Sequence, residues 1–288
     1  MLAAVVRANG IDVRYVIDGP TDAPVVVFSN SLTSDLGIWN EVAEALSGQY
    51  RILRYDLRGH GGTGATPGEY SIALLGQDLL ALLDALHFKK VHLVGLSIGG
   101  MIAQFVAATA PRRFLSLVLC ATSSAGVPAI WEQRLDIARS RGFDELIEPT
   151  LLRWYTPETH ERDPKLIAST RRMISETSTS GYIGSAAALR DLHLTRLLAQ
   201  ITAPTLLVAG QNDAFTPVAG MEAMCREIPD ARLVELPGAA HLLALERPKE
   251  LVGLIGGFLE RVRGSVDENS GAFRSGHKRE RESNDGLQ

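Results

Sequence analysis

The chain has 288 residues, 45% hydrophobic and 22% charged, with 29 Lys and Arg against 33 Asp and Glu and a formal net charge of -4. This balance excludes binding to nucleic acid or an anionic membrane driven by net charge, and it supplies ample apolar material for a large core. Two cysteines make no disulfide framework. No apolar run reaches the ~20 residues that cross a bilayer, and no secretory signal is read at the N-terminus, so the expectation is a soluble cytoplasmic protein that binds neither nucleic acid nor membrane.

In chain order, apolar runs at residues 11–17, 25–28, 51–55, 91–94, 115–119, 205–208 and 232–236 predict strands. Several are unbroken blocks of Val, Ile and Leu, the pattern of strands covered on both faces. Between them lie amphipathic stretches. Residues 71–86 carry leucines at 74, 75, 79, 82, 83 and 86, and Ser71 stands at the N-cap position. Alternating strands and helices predict an α/β fold with a mostly parallel sheet and helices on both faces. The alternation stops between residues 125 and 193, a stretch with tryptophans, tyrosines and many arginines. It predicts a helical cap inserted over the C-terminal edge of the sheet, where open parallel sheets bind ligands. The expected division is therefore a core of residues 1–124 and 194–263, a cap of 125–193, and a polar tail of 264–288 too poor in apolar surface to order itself.

The run Val94-Gly95-Leu96-Ser97-Ile98-Gly99-Gly100 joins a strand to a helix through Gly-x-Ser-x-Gly. A bare match of this kind is common by chance; the flanking strand and helix formers give it weight. A serine at such a turn adopts a strained backbone, and side chains at 95 and 99 would meet neighbouring backbone. Ser97 would then project above the sheet as a nucleophile, with the Ile98 N–H at the start of a helix aimed at a developing oxyanion. A serine hydroxyl needs a base. Of the seven histidines, His87 and His92 lie in or beside regular elements and are expected to pack there, His160 and His193 fall in the cap, His277 in the tail, and His60 in the turn Asp56-Leu57-Arg58-Gly59-His60-Gly61. His241 follows the last strand on a Gly238-Ala239-Ala240 turn, at the same sheet edge as Ser97. Asp213, just past the penultimate strand, fits as the carboxylate that orients this imidazole; Asp56 also ends a strand, but precedes the serine. The loop after Phe28 supplies a second oxyanion donor, by position the Leu32 N–H. The chemistry calls for no metal or organic cofactor.

The elbow, the Asp56–Gly61 turn and the Gly238–His241 loop together resemble the α/β-hydrolase superfamily over about residues 1–262. Within it, Phe28-Ser29-Asn30-Ser31-Leu32 followed by Asp35-Leu36-Gly37-Ile38-Trp39, and the cap segments around Trp131–Arg134, Arg153–Pro157 and Gly181-Tyr182, are most similar to the 3-oxoadipate enol-lactonases. The resemblance implies hydrolysis of a lactone or ester through an acyl-enzyme, with Ser97, Asp213 and His241 as the triad. It further implies a substrate bearing a free carboxylate, for which Arg134 is the candidate partner and Trp131 a pocket wall. The chain departs from that family at Ile98, where methionine is usual, and at Thr33, where glycine is usual. A broad carboxylesterase and a ligand receptor of the same fold are the alternatives; dehalogenase chemistry is disfavoured because Ser97, not aspartate, holds the nucleophile position.

Overall fold

The computed structural model describes the backbone of residues 3–276 and the side chains of residues 3–264. In chain order the elements are β1 (Ala4–Ala8), β2 (Ile11–Asp18), β3 (Val25–Ser29), α1 (Asn40–Leu46), β4 (Arg51–Tyr55), α2 (Ile72–Ala85), β5 (Val91–Leu96), α3 (Ile98–Thr109) and β6 (Phe114–Cys120). Helices α4 (Pro128–Ser140), α5 (Ile147–Trp154), α6 (Pro157–Arg162), α7 (Pro164–Ser175) and α8 (Thr179–Arg190) follow without an intervening strand. The chain then returns to β7 (Thr205–Gly210), α9 (Val218–Glu227), β8 (Ala231–Leu236), α10 (Leu243–Glu246) and α11 (Pro248–Gly276).

The strands form one sheet in the order β1-β2-β4-β3-β5-β6-β7-β8. The pairs β1–β2 and β2–β4 are antiparallel, and the rest are parallel. Every residue of β5 and β7 is buried. Successive side chains point to opposite faces, so both faces of the sheet are covered. Helices α2 and α3 pack together, and α1 packs on α11. From β3 the chain steps to β4 on one side and then back past β3 to β5 on the other. The C-terminal ends of β3 and β5 thus lie at the switch in strand order, where open α/β sheets bind ligands.

Local chemistry sets the helix ends. The Ser71 hydroxyl accepts from the Leu74 N–H at the start of α2, as its position predicts. In the inserted stretch α4, α6 and α7 each begin with proline at 128, 157 and 164, where its missing N–H costs nothing. Thr156, Asp163 and Ser178 cap α6, α7 and α8. Ala125 and His193, which flank these helices, face each other in an antiparallel bridge.

Two features differ from the sequence expectations. Strand β1 carries no clear alternation because it is a short edge strand with Val5 largely exposed. His87 does not pack: it is exposed just past α2 at a positive φ of 60°. Helix α11 begins at Pro248 and its backbone is described to Gly276, with side chains described to residue 264. Residues 277–288 of the predicted polar tail, with His277, lie outside the described residues. No helix among the described residues is long and apolar enough to cross a membrane.

Candidate active site

Ser97 follows the last residue of β5 with φ 57° and ψ -118°, a conformation that side chains rarely adopt and that costs on the order of 1–3 kcal/mol. Its surroundings hold it there. Its N–H donates to the Cys120 carbonyl at 3.0 Å, and its carbonyl accepts from the Thr122 hydroxyl at 2.7 Å. Gly99 N–H donates to the Asn30 carbonyl at 3.0 Å, which ties the start of α3 to the loop after β3. The glycines are required by contact: a Cβ at Gly95 would fall on the Gly99 carbonyl, and one at Gly99 on the Ser29 carbonyl. Ile98 opens α3, so its N–H is one of the first-turn donors with no acceptor inside the helix.

Asp213 lies in the turn after β7. Its Oδ1 accepts from the Phe215 N–H at 2.7 Å and the Thr216 N–H at 3.1 Å, and its Oδ2 from the Thr216 hydroxyl and, at 2.8 Å, from His241 Nδ1. Burial pushes this carboxyl up, but the charge and hydrogen bond of His241 together with the Thr216 bonds outweigh it and hold the pKa down at about 2. An ionised carboxylate only accepts, so the Nδ1 that faces it carries a proton, which leaves Nε2 as the ring nitrogen turned away from Asp213. The imidazole is buried between Trp154, stacked at 6.3 Å between centroids, and Phe215, tilted at 5.3 Å. Asp56, the alternative acid, is engaged elsewhere: it accepts from the Leu36 N–H, the Gly62 N–H and Arg14. His60 is buried with Nδ1 on the Arg58 carbonyl.

Ser97, His241, Leu32, Trp131 and Arg134 all line one cavity between the sheet edge and the inserted helices. Its remaining wall is largely apolar and includes Met101, Val127, Ile130, Leu189 and Leu192. Leu32 N–H has no backbone partner among the described residues. Arg134 is only 8% exposed. Its Nε donates to the Tyr182 phenol at 3.0 Å, its Nη2 to the Thr150 hydroxyl at 2.7 Å, and its guanidinium lies over the Trp131 ring at 5.6 Å. Among the described residues no carboxylate pairs with it. Burial raises the Tyr182 pKa, an effect Arg134 partly offsets, so the phenol is neutral and its oxygen free to accept. The wall also holds Ser31, whose buried hydroxyl has no protein partner.

Thr216, Phe215, Thr122 and Thr150 escaped the sequence reading. Only Thr216 left a signal there, as the hydroxyl three residues after an aspartate in a turn; the other three meet the site through tertiary contacts alone. No group of three or more His, Cys, Asp or Glu among the described residues is placed to hold a metal ion.

A mostly parallel sheet with a strained serine at the end of its central strand defines a class of fold. The family model described as the alpha/beta hydrolase fold matches residues 24–248, and the chain belongs to that family. Within it, the chain is 32% identical to 3-oxoadipate enol-lactonase 1 of Acinetobacter baylyi over 90% of its own length and 97% of that protein's. Among solved structures it is similar to the enol-lactonase from Burkholderia xenovorans LB400, with a TM-score of 0.87 at 34% identity, covering 89% of this chain and 100% of that one. It is also similar to a thermophilic esterase from Thermogutta terrifontis, with a TM-score of 0.84 at 29% identity, covering 91% and 99%.

Proposed function

We propose that this hydrolase opens a carboxylate-bearing enol-lactone, 3-oxoadipate enol-lactone, to 3-oxoadipate, a step of aromatic-compound catabolism carried out in the cytoplasm. The observation that carries the substrate class is Arg134. A buried guanidinium without a carboxylate partner is costly to keep, and that cost is recovered when an anionic ligand pairs with it. It shares its cavity with Ser97 and His241. Residues 125–193 act as a cap that brings this arginine and Trp131 over the serine.

The reaction uses the chain's own groups. His241 Nε2 takes the Ser97 proton as Oγ bonds to the lactone carbonyl carbon. The N–H groups of Leu32 and Ile98 hold the oxyanion. When it collapses, the ring C–O bond breaks and the enol oxygen takes the proton from His241. The enol tautomerises to a ketone, which draws ring opening forward. Water then gives a proton to His241 and adds to the acyl carbon, and Ser97 leaves with that proton. A broad carboxylesterase is the second reading, favoured by the apolar remainder of the cavity wall.

A substrate panel of the enol-lactone, neutral lactones and short p-nitrophenyl esters separates these readings. The enol-lactone is expected to have the highest kcat/KM. Arg134→Ala should raise KM for it roughly 10- to 100-fold, since a charge-assisted hydrogen bond contributes about 1.5–3 kcal/mol, and leave neutral esters nearly unchanged. An equal loss on neutral esters removes the arginine's role, and a preference for neutral esters in the wild type selects the carboxylesterase. Ser97→Ala should be inactive on every member of the panel.

A further inference from the structure

Glu246, the last residue of α10, has no part in the steps above, yet it is a carboxylate only 4% exposed. Its two oxygens face different parts of the molecule. Oε1 accepts from the Thr156 N–H at 2.9 Å, the Thr156 hydroxyl at 2.9 Å and the Thr159 hydroxyl at 2.7 Å, all at the α5–α6 junction of the inserted helices. Oε2 accepts from the N–H of Ala240 at 2.6 Å, immediately before His241. The next two N–H groups of that loop, His241 and Leu242, both donate to the Trp154 carbonyl, at 3.1 and 3.2 Å. Three successive backbone donors of the histidine loop therefore rest either on the end of α5 or on the carboxylate that holds the α5–α6 junction. The Trp154 side chain lies in the cavity wall and stacks on the His241 ring.

We infer that Glu246 is a positioning residue for His241, and that through it the inserted helices set the aim of the imidazole toward Ser97. This rests on the reading of His241 as the base. A carboxylate suits the place because it only accepts, and every group around it donates. Backbone N–H groups cannot reorient as hydroxyls can. A glutamine here must therefore turn its NH2 against the N–H of either Ala240 or Thr156, and the loop shifts to relieve the contact. Displacements of about 1 Å in a catalytic group can cost on the order of 100-fold in rate. The cavity wall around Arg134 makes no contact with Glu246 through these bonds, so binding is spared.

The test compares Glu246→Gln with Thr159→Val, which removes a single donor with little change in shape, and with Ser97→Ala and His241→Ala as inactive controls. Four quantities are measured: kcat on the enol-lactone and on a neutral p-nitrophenyl ester, the rate of Ser97 labelling by a fluorophosphonate, the Tm, and adipate binding to each variant in the Ser97→Ala background. For Glu246→Gln we expect kcat and the labelling rate to fall together, roughly 10- to 100-fold on both substrates, with adipate affinity within about twofold of the parent. Thr159→Val should fall in the same direction, about two- to fivefold. Wild-type kcat and labelling in folded Glu246→Gln would overturn the inference while leaving the triad intact. If Glu246→Gln does not fold, full kcat in a Thr159→Val protein of lowered Tm would overturn it too. Substantial activity in His241→Ala would instead overturn the reading on which it rests.

Discussion

Thr33 stands in the candidate oxyanion loop at φ 58°, buried and in the cavity wall. Glycine adopts this conformation freely, whereas a β-branched residue is strained there by about 1–3 kcal/mol. The departure from glycine noted in the sequence thus falls where the backbone favours glycine. Its hydroxyl offsets part of the strain by donating to the Leu32 carbonyl at 2.7 Å, which also fixes the peptide next to the Leu32 N–H. Thr33→Ala keeps the strain and loses that bond, while Thr33→Gly loses the bond and the strain together. Glycine's greater freedom in the unfolded chain costs back about 0.5–1 kcal/mol. Urea unfolding should therefore rank Thr33→Gly about 1 kcal/mol more stable than Thr33→Ala, the reverse of the usual order, and equal stabilities would show that the positive φ is not held in solution.

Helix α8 meets the core through a contact that only glycines allow. Its Gly181 lies against Gly59, itself at φ 75°, so closely that a Cβ on Gly181 would fall on the Gly59 carbonyl. The Ser178 hydroxyl donates to that same carbonyl at 3.0 Å and accepts from the Gly181 N–H at 3.0 Å. By helix propensity alone, Gly181→Ala would stabilise by up to ~1 kcal/mol. The overlap reverses the sign, and thermal or urea unfolding should show a net loss of about 1–3 kcal/mol. An unchanged or raised stability would mean that the inserted helices do not seat on the Asp56–Gly61 turn in this way. Elements of this kind differ in how far they can be read from sequence. β5 and β7 are legible because burial on both faces demands unbroken apolar runs, and α2 because its leucines follow the helical period. β1 is not, because an exposed edge strand imposes no such demand on its residues.

At the scale of the whole molecule, two buried imidazoles control acid stability. Burial lowers the pKa of His60 to about 4, with its bond to the Arg58 carbonyl acting weakly the other way, and burial lowers His92 to about 4 as well. Both lie below the ordinary value of 6.5. The fold therefore prefers the neutral ring. Above pH 6.5 the preference has no effect on stability. As pH falls from 6.5 toward 4, the unfolded chain takes up protons that the folded chain refuses, and stability drops by roughly 3 kcal/mol for each ring. Domains of this kind hold about 5–15 kcal/mol in all, so urea melts should show a steep loss between pH 6.5 and 4. His92→Asn should make that loss about half as large, and an unchanged slope would show that His92 is not held neutral. Asp213, held near 2, adds a further loss only as pH falls from its ordinary 3.8 toward 2.

The sequence by itself determined the class of fold, the serine elbow and the chain order of Ser97, Asp213 and His241. Each of these depends on a few neighbouring residues: an apolar run that must be buried, glycines where backbone passes close, a polar residue just past a strand end. Tertiary structure decided the rest. Arg134 reads in the sequence as a surface arginine as readily as a buried one, and only the packing of α4 against its neighbours removes it from water and from every carboxylate among the described residues. Glu246 carries no pattern at all until the fold brings it to Thr156, 90 residues away in the chain. Burial, missing counter-ions and hydrogen bonds across the chain are properties of neighbours in space, and a local stretch of sequence does not contain them.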